Sequence, residues 1–458
     1  MSATHFSPHD VSSASLDQEG ALRALAAKFV AAAKELGADA CRLTLSDNHG
    51  MSATLVDGYV TEVGSGRSRT GQLEVFCEGR AGTAMVAGDI SDVDSIVANA
   101  LEQSRYAPVS NVDPLPFPES MAWRTADSGL YHPADMGLKQ VMERVRSCQR
   151  AVVESAKPEQ VVSTRSAFQA MTTVEVVANS LGLIASKSAT RYSLECDAAV
   201  QKDGEVVHGQ WQDAVRDLSL LMAPEALGAL VIRRIRAKQG ANKLASGVYR
   251  AILEPQIATM FAEHLIAAMA GSLVINGATW MAGHRGALVA APWMDIDEDP
   301  LLPGGLNSSS YDSQGYATSP RRLVEAGVLL GYLHDARSAT VMGEAMTGHS
   351  SGTHNIFVRA PADRLLTPEA LLARLGDGIV IAEFFGVGVD LASGTFSLGA
   401  LGRRVEKGRI VEAVDRFMIS GHFSSLFQGA EAMGNDIEQR GNIRIGSLLV
   451  TGLVVSGE

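Results

Sequence analysis

Two places in this sequence hold residue types that could bind a cation or move a proton. The first is Thr347-Gly348-His349-Ser350-Ser351-Gly352-Thr353-His354-Asn355. Two histidines in a Gly/Ser loop can be presented to a ligand in a way that one histidine on an apolar face cannot. His349, His354 and Asn355 are therefore candidate contacts to a peptide, a partner or a metal, and Glu383 is an acid that could complete an unconventional centre. The competing reading is a tight turn whose histidines satisfy backbone carbonyls. The second place is Glu263-His264, inside the helical pattern of Pro255–Ala270. A zinc peptidase helix carries two histidines one turn apart with a glutamate beside them, which puts two ligands and a base on one face. Here the glutamate precedes the histidine, and the positions four and five beyond His264 are Ala268 and Met269. One imidazole does not close a zinc site, and no cysteine follows Cys196 to complete it. His264 reads as a histidine at the edge of a core.

Other motifs fail on spacing. Asp295-Ile296-Asp297-Glu298-Asp299 mimics the start of a calcium loop, but Pro300 replaces the turn glycine and Leu306 the bidentate glutamate, so an acidic surface turn is expected. Gly66-x-x-x-x-Gly71 is followed by Gln72-Leu73 where a phosphate loop needs Lys-Ser/Thr. Gly64-x-Gly66 and Gly386-x-Gly388 lack the third glycine of a dinucleotide fingerprint, and all three stretches are expected to be turns. Gly271-Ser272 and Gly446-Ser447 lack the flanking glycines of a nucleophile elbow.

The elements that must position these residues suggest an α+β protein of two domains. A disordered tail is expected over 1–16. An N-terminal domain of helices and antiparallel sheet is expected over 17–240, and a strand-rich C-terminal domain with one prominent helix over 241–458. Apolar residues at helical spacing predict helices at Asp17–Leu36, Ser91–Arg105 (with Ser91 as N-cap), Ala134–Ser155, Pro224–Lys238 and Pro255–Ala270. Strands are expected at Ala40–Ser46, Met51–Val63, Leu73–Glu78, Thr83–Ala87, Val161–Gln169, Val174–Ala178, Ile184–Gln201 and Glu205–Gln212. In the second half they are expected at Val248–Leu253, Val328–His334, Gly378–Phe385, Thr395–Leu401 and, as a pair, Ile443–Ser456. Val405–Ile410 reads as a hairpin turning at Lys407-Gly408. No repeat at a fixed period is present.

Composition narrows the function. The net charge of −12 repels phosphate backbones, and Arg233-Arg234-Ile235-Arg236-Ala237-Lys238 reads as favourable charge at a helix C-terminus, so no direct nucleic-acid contact is expected. Cys41, Cys77, Cys148 and Cys196 form no C-x-x-C pair, which removes zinc ribbons and redox dithiol motifs on spacing. No signal peptide or membrane-length apolar run is evident, and a reducing cytoplasm is the expected setting.

From Tyr249 onward a series of landmarks resembles the PmbA/TldE branch of the TldD/PmbA family. They are Asp295–Pro300, Tyr311-Asp312-Ser313-Gln314-Gly315, Leu323–Leu329, Ser338-Ala339 and Thr347–Asn355. Gly386-Val387-Gly388-Val389, Gly394–Ala400 and Gly434-Asn435-Asp436-Ile437-Glu438 complete the series. Their order over roughly two hundred residues carries the match, since each short motif alone is weak. The first half resembles the family in element order more than in motifs. The resemblance implies a two-domain α+β protein and a part in a zinc metallopeptidase complex that trims modified-peptide precursors and degrades unfolded antitoxins. TldD members carry a His-Glu-x-x-x-His helix, and TldE members lack it and pair with them. The departure at 255–270 places this chain on the TldE side, with no catalytic residue to carry over and no metal of its own. Zinc is then expected in a TldD-like catalytic subunit, with an extended peptide as substrate and a homodimer when the chain is isolated. Two alternatives stay open: a self-sufficient metal-dependent peptidase built on His349 and His354, and a regulatory protein acting on DNA gyrase function.

Overall fold

A computed structural model describes residues 8–88, 90–110, 113–386 and 388–457. The chain divides into two units. One takes in 1–235, 301–319 and 343–351, and the other 236–300, 320–342 and 352–458.

The first unit grows on a single antiparallel sheet. Helix α1 (Pro8–Glu35) leads into β1 (Ala40–Val56), β2 (Tyr59–Cys77), β3 (Arg80–Ala87) and α2 (Val93–Ser104). Helix α3 (Leu138–Ala156) then leads into β4 (Gln160–Asn179), β5 (Ile184–Lys202), β6 (Glu205–Val215) and α4 (Pro224–Arg236). The strand order is β3-β2-β1-β4-β5-β6, so the β1–β4 pair joins two halves that each run helix, three strands, helix. Alternation along the strands makes one face apolar, as period-two patterns do. Leu22, Ala26 and Phe29 of α1 and Val97 of α2 bury Leu43, Leu45, Val75 and Val176. Val145 and Val152 of α3, with Leu227 and Val231 of α4, bury Leu55, Phe168, Leu194 and Val200. Each large side chain so buried contributes roughly 1.5–3 kcal/mol.

Asp47 is the charged exception on β1, only 4% exposed. Arg67 reaches it with Nε at 2.7 Å and Nη2 at 2.5 Å, and Arg69 with Nη2 at 2.8 Å. Burial pushes this carboxyl up, but the hydrogen bonds and charges of the two guanidinium groups outweigh burial and hold it below the ordinary aspartate range.

In the second unit, β7 (Gly247–Leu253), α5 (Pro255–Ala267), α6 (Gly271–Ile275), β8 (Asp295–Asp299), β9 (Arg321–Glu325), β10 (Val328–Leu329) and α7 (Ala336–Met342) come first. β11 (Asn355–Arg359), β12 (Leu365–Leu366), α8 (Pro368–Leu375), β13 (Gly378–Phe385), β14 (Val389–Asp390), β15 (Thr395–Glu406) and β16 (Arg409–His422) follow. The unit ends with α9 (Phe423–Gln428), β17 (Ala430–Gly434), β18 (Glu438–Arg440), β19 (Ile443–Ile445) and β20 (Leu448–Ser456). One sheet runs β10-β9-β8-β11-β19-β18 and a second runs β12-β17-β20-β16-β15-β13-β7. Because β20 also pairs with β7, strands β7, β20, β16, β15 and β13 close into a ring. Ala251–Leu253 of β7 and Gly378–Ile381 of β13 are buried on both faces and read as continuous apolar runs, whereas β15, β16 and the later part of β20 alternate between buried and exposed positions. Ala251, Leu253, Ile379 and Ile381 face the core around α5, while Ile252, Val380 and Leu449 face Leu371 and Leu375 of α8.

Most expected elements are present within a few residues, and the departures have physical causes. Met51–Val63 is not one strand, because Asp57-Gly58, with φ of 51° and 82°, turns the chain between β1 and β2. Lys407-Gly408 makes the expected turn with φ of 50° and 73°. β1 and β4 each run through the gaps that seemed to split them. Gly64, Gly66 and Gly71 are not turns but lie within β2. Gly71 is needed there because a Cβ would stand 2.3 Å from the Thr44 carbonyl oxygen. Asp92, not Ser91, caps α2, its carboxylate accepting the Ser95 N–H at 3.0 Å. The strand expected at Val328–His334 shrinks to Val328–Leu329. Helix α1 begins at Pro8, ahead of the expected Asp17, and residues 1–7 of the expected tail lie outside the described residues.

Asp47→Asn should lower stability by about 2 kcal/mol at neutral pH, since charged hydrogen bonds are lost from a buried acceptor. The depressed carboxyl contributes stability above its unfolded value near about 4, and that contribution fades as pH falls through the lower folded value. Urea unfolding of wild type and variant should therefore converge below about pH 4.

Candidate functional site

Pro255 presets the first turn of α5, and Glu254 just before it accepts from Gln256 Nε2 and pairs with Arg403. The rotation of the helix is set by Phe261. Its ring meets Phe384, Phe396 and Phe423 edge-on at centroid distances of 5.3, 5.0 and 5.9 Å. With Ile257, Ala258, Phe261, Ala262 and Leu265 turned inward, Glu263 and His264 fall on the outer side. His264 is half-buried, 5.6 Å from the Phe423 ring. Desolvation raises the Glu263 carboxyl above its ordinary range and lowers the His264 imidazole below its own, so His264 is neutral near pH 7. The next turn brings only Ala267, Ala268 and Met269. Among the described residues, no group of three or more His, Cys, Asp or Glu side chains placed to share an ion includes Glu263, His264 or Glu383.

The acidic run Asp295–Asp299 is a strand, β8, and not the expected surface turn. Its alternation puts Ile296 and Glu298 inside, and the Glu298 side chain has no solvent exposure. Glu298 Oε1 accepts the backbone N–H of His354 at 2.7 Å and lies 3.1 Å from His354 Nδ1. Its other oxygen is 3.6 Å from Arg321 Nε on β9. Asn355 Nδ2 donates to the Asp299 carbonyl at 2.9 Å, and Asn442 Nδ2 to that of His354 at 2.5 Å. Thus His354, just before β11, and Asn355, its first residue, are members of a buried polar network with Glu298, whose role the calcium-loop comparison misjudged, and with Arg321 and Asn442, which the motif search passed over. The signal for Glu298 lay in the strict alternation of Asp295–Asp299.

His349 belongs to the first unit, where its Nδ1 is 2.9 Å from Thr347 Oγ1. The loop around it is organised by buried Asp312. One carboxylate oxygen accepts the N–H groups of Gln314 and Tyr316 at 2.9 and 3.0 Å, and the other accepts that of Ser350 at 3.1 Å. The landmarks Tyr311–Gly315 and Thr347–Asn355 are therefore tied through one aspartate. Glu383 stands on β13 of the second unit, paired with Lys238 Nζ at 2.7 and 2.9 Å. A shallow pocket of about 480 Å³ lies nearby in sequence, lined by Gly388, Val389, Asp390, Thr395, Phe396, Ser397, Ser420 and Gly421. Val387 of the adjoining landmark lies outside the described residues.

The model of the PmbA/TldA metallopeptidase central domain matches residues 131–239, and that of the C-terminal domain matches 246–457. The chain belongs to the PmbA/TldD metallopeptidase family. It is 29% identical to metalloprotease PmbA of Escherichia coli O157:H7 over 449 residues, covering 97% of this chain and 98% of that protein. In fold it is similar to a putative modulator of DNA gyrase from Bacteroides thetaiotaomicron, with a TM-score of 0.87 at 22% identity over 95% of this chain and 99% of that one. It is also similar to TldE from Thermococcus kodakarensis, with a TM-score of 0.80 at 18% identity over 96% and 99%. The family name implies a metal ion. The donors on α5 do not fit one, because an adjacent carboxylate and imidazole followed by Ala267, Ala268 and Met269 leave an ion short of protein ligands. Among the described residues, no helix is long and apolar enough to cross a membrane.

Glu298→Ala should cost about 3 kcal/mol in thermal unfolding, because Arg321 and the His354 N–H lose a buried anionic partner. Glu263→Ala, on the outer side of α5, should stay within about 0.5 kcal/mol of wild type.

Proposed function

We propose that this chain is the non-catalytic, TldE-like subunit of a two-subunit zinc metallopeptidase that cleaves unfolded or modified peptides. The observation that carries this reading is α5. In this family position the chain has the scaffold of a metal helix, seated by Phe261, with a single imidazole on it. Zinc then belongs to a TldD-like partner carrying His-Glu-x-x-x-His, and this chain contributes walls and strand edges to the path of the peptide. Extended peptides are held along strand edges by main-chain hydrogen bonds, which require little sequence specificity. The likeness to a TldE structure over nearly the whole chain supports the assignment. A cytoplasmic setting and a homodimer of the isolated chain accompany this reading.

His349 and His354 are read as structural. Each has a protein partner within hydrogen-bonding distance, and Glu298 beside His354 faces the Arg321 cation. Direct action on gyrase-bound DNA is disfavoured by the net charge of −12.

A pull-down from the native cell should recover a protein of similar size with a His-Glu-x-x-x-His helix. An unstructured peptide should be cut by the mixture and by neither this chain alone nor a mixture whose partner lacks those histidines. Chelator-sensitive cleavage by this chain alone, lost in His349→Ala, would overturn the proposal. Recovery of gyrase without any such partner would favour the regulatory alternative.

A further inference from the structure

The sheet of the first unit has an incomplete edge along β2. β3 pairs only with its second part, from Thr70 onward, so Tyr59–Ser68 has no neighbour on its outer side among the described residues. The turn before this stretch is firmly held. Gln149 of α3 accepts the Gly58 N–H at 3.0 Å through Oε1 and donates Nε2 to the Leu55 carbonyl at 3.1 Å. Asp57 gives its N–H to the Thr164 carbonyl at 2.9 Å, and its carboxylate accepts that of Thr164 at 2.7 Å. Beyond a register shift beside Leu55, pairing with β1 is regular from Val63 to Ser68. The Arg69 carbonyl accepts the Gly88 N–H at 3.0 Å and so points outward. Period-two alternation then turns the N–H and C=O of Val63, Ser65 and Arg67 outward too. Such edges are commonly blunted by lysine or proline. Neither falls in Tyr59–Ser68, where Tyr59, Val60 and Val63 are 78%, 45% and 46% exposed.

We infer that this edge takes an extended peptide as an added strand, with an apolar side chain beside Val63 and a carboxylate beside Arg67. The occupant is a peptide because the chain is read above as part of a peptidase, and the edge is then a holding site for that substrate. Gly64 and Gly66 mark the place. Neither has a positive φ, and a Cβ on either would meet nothing within 4 Å, so nothing inside the molecule requires glycine there, unlike at Gly71. Glycine within a strand also marks close approach by another backbone. Val63, Ser65 and Arg67 lie opposite Ala53, Met51 and His49, so their side chains share the sheet face that α3 covers. Arg67 and Arg69 share the single carboxylate of Asp47, which leaves one positive charge in excess, and half of the Arg67 side chain is in solvent. On the opposite face, between Glu62 and Ser68, the strand presents only Gly64 and Gly66. The edge therefore selects one apolar and one acidic residue four positions apart and tolerates any residue between them. A strand held in place by its turn meets a peptide without first having to be ordered.

The test uses the full chain, without a partner, and a fluorescein-labelled peptide of about nine residues, enough to span the edge as a strand. Valine stands at its centre, aspartate four positions to either side so that both strand directions are served, and serine elsewhere. Hydrogen exchange should slow at the Val63, Ser65 and Arg67 amides when the peptide is added. Replacing both aspartates by lysine should weaken binding, read by fluorescence anisotropy, about fivefold. Ser65→Pro removes an outward N–H and no bond to β1, and should weaken binding about tenfold, while Ser65→Ala binds as the wild type does. Circular dichroism checks the fold of both variants, and the exchange footprint on the wild type decides the matter even where Ser65→Pro misfolds. Unchanged exchange at these amides with peptide bound, or full affinity in folded Ser65→Pro, would overturn the inference. Protection that is present without peptide and grows with protein concentration would assign the edge to a second copy and overturn it as well. Cleavage by the mixture with a TldD-like partner, combined with an unprotected edge, would sink this inference alone; a protected edge without such cleavage would sink the proposed function instead.

Discussion

Phe261 packs edge-on against three other phenylalanines drawn from β13, β15 and α9, and that contact seats helix α5. A helix wedged by a ring of this size has little rotational freedom, since a shift of one position would drive Glu263 or His264 into a close-packed interior. The chemistry the second unit can offer from α5 is therefore set by which residues remain on its outer side. Those residues are one carboxylate and one imidazole, adjacent in sequence and so pointing about 100° apart around the helix axis. The closed ring of β7, β20, β16, β15 and β13 supplies the apolar wall that holds the helix in place.

The two units solve the problem of long strands differently. In the first, strands of up to 20 residues are too long for one helical pair, and the cover is divided between α1 with α2 and α3 with α4. Asp47 and its two arginines occupy a charged position on a strand whose other inward residues are apolar. In the second, the strands are shorter, and closure of the ring removes edges that would otherwise need protection. Both arrangements grow from the same alternation of apolar and polar positions.

The fold class was legible because period-two and period-3.6 patterns are strong here, and the prominent helix at 255–267 stands out by its apolar content. What escaped were features that depend on distant neighbours. Asp57-Gly58 is a two-residue turn signal hidden inside an apolar run, and Gly71 sits in a strand only because the Thr44 carbonyl is so near. Asp295–Asp299 resembled a turn by composition, whereas its burial is decided by pairing with β9 and β11. The duplicated helix–three strands–helix order leaves no fixed period, since the connections differ in length. The histidines of Thr347–Asn355 drew notice by type, but the acids that hold the loop and the strand after it, Asp312 and Glu298, lie in separate stretches whose pairing with that loop and strand only the fold reveals.

The account turns on how many donors α5 can converge on an ion. Metal analysis by mass spectrometry on the purified, partner-free chain, after dialysis against buffer containing zinc, addresses that directly. A content near zero is expected, because α5 supplies too few ligands to retain zinc. One tightly held zinc per chain, lost together with peptide cleavage on chelation, would contradict it.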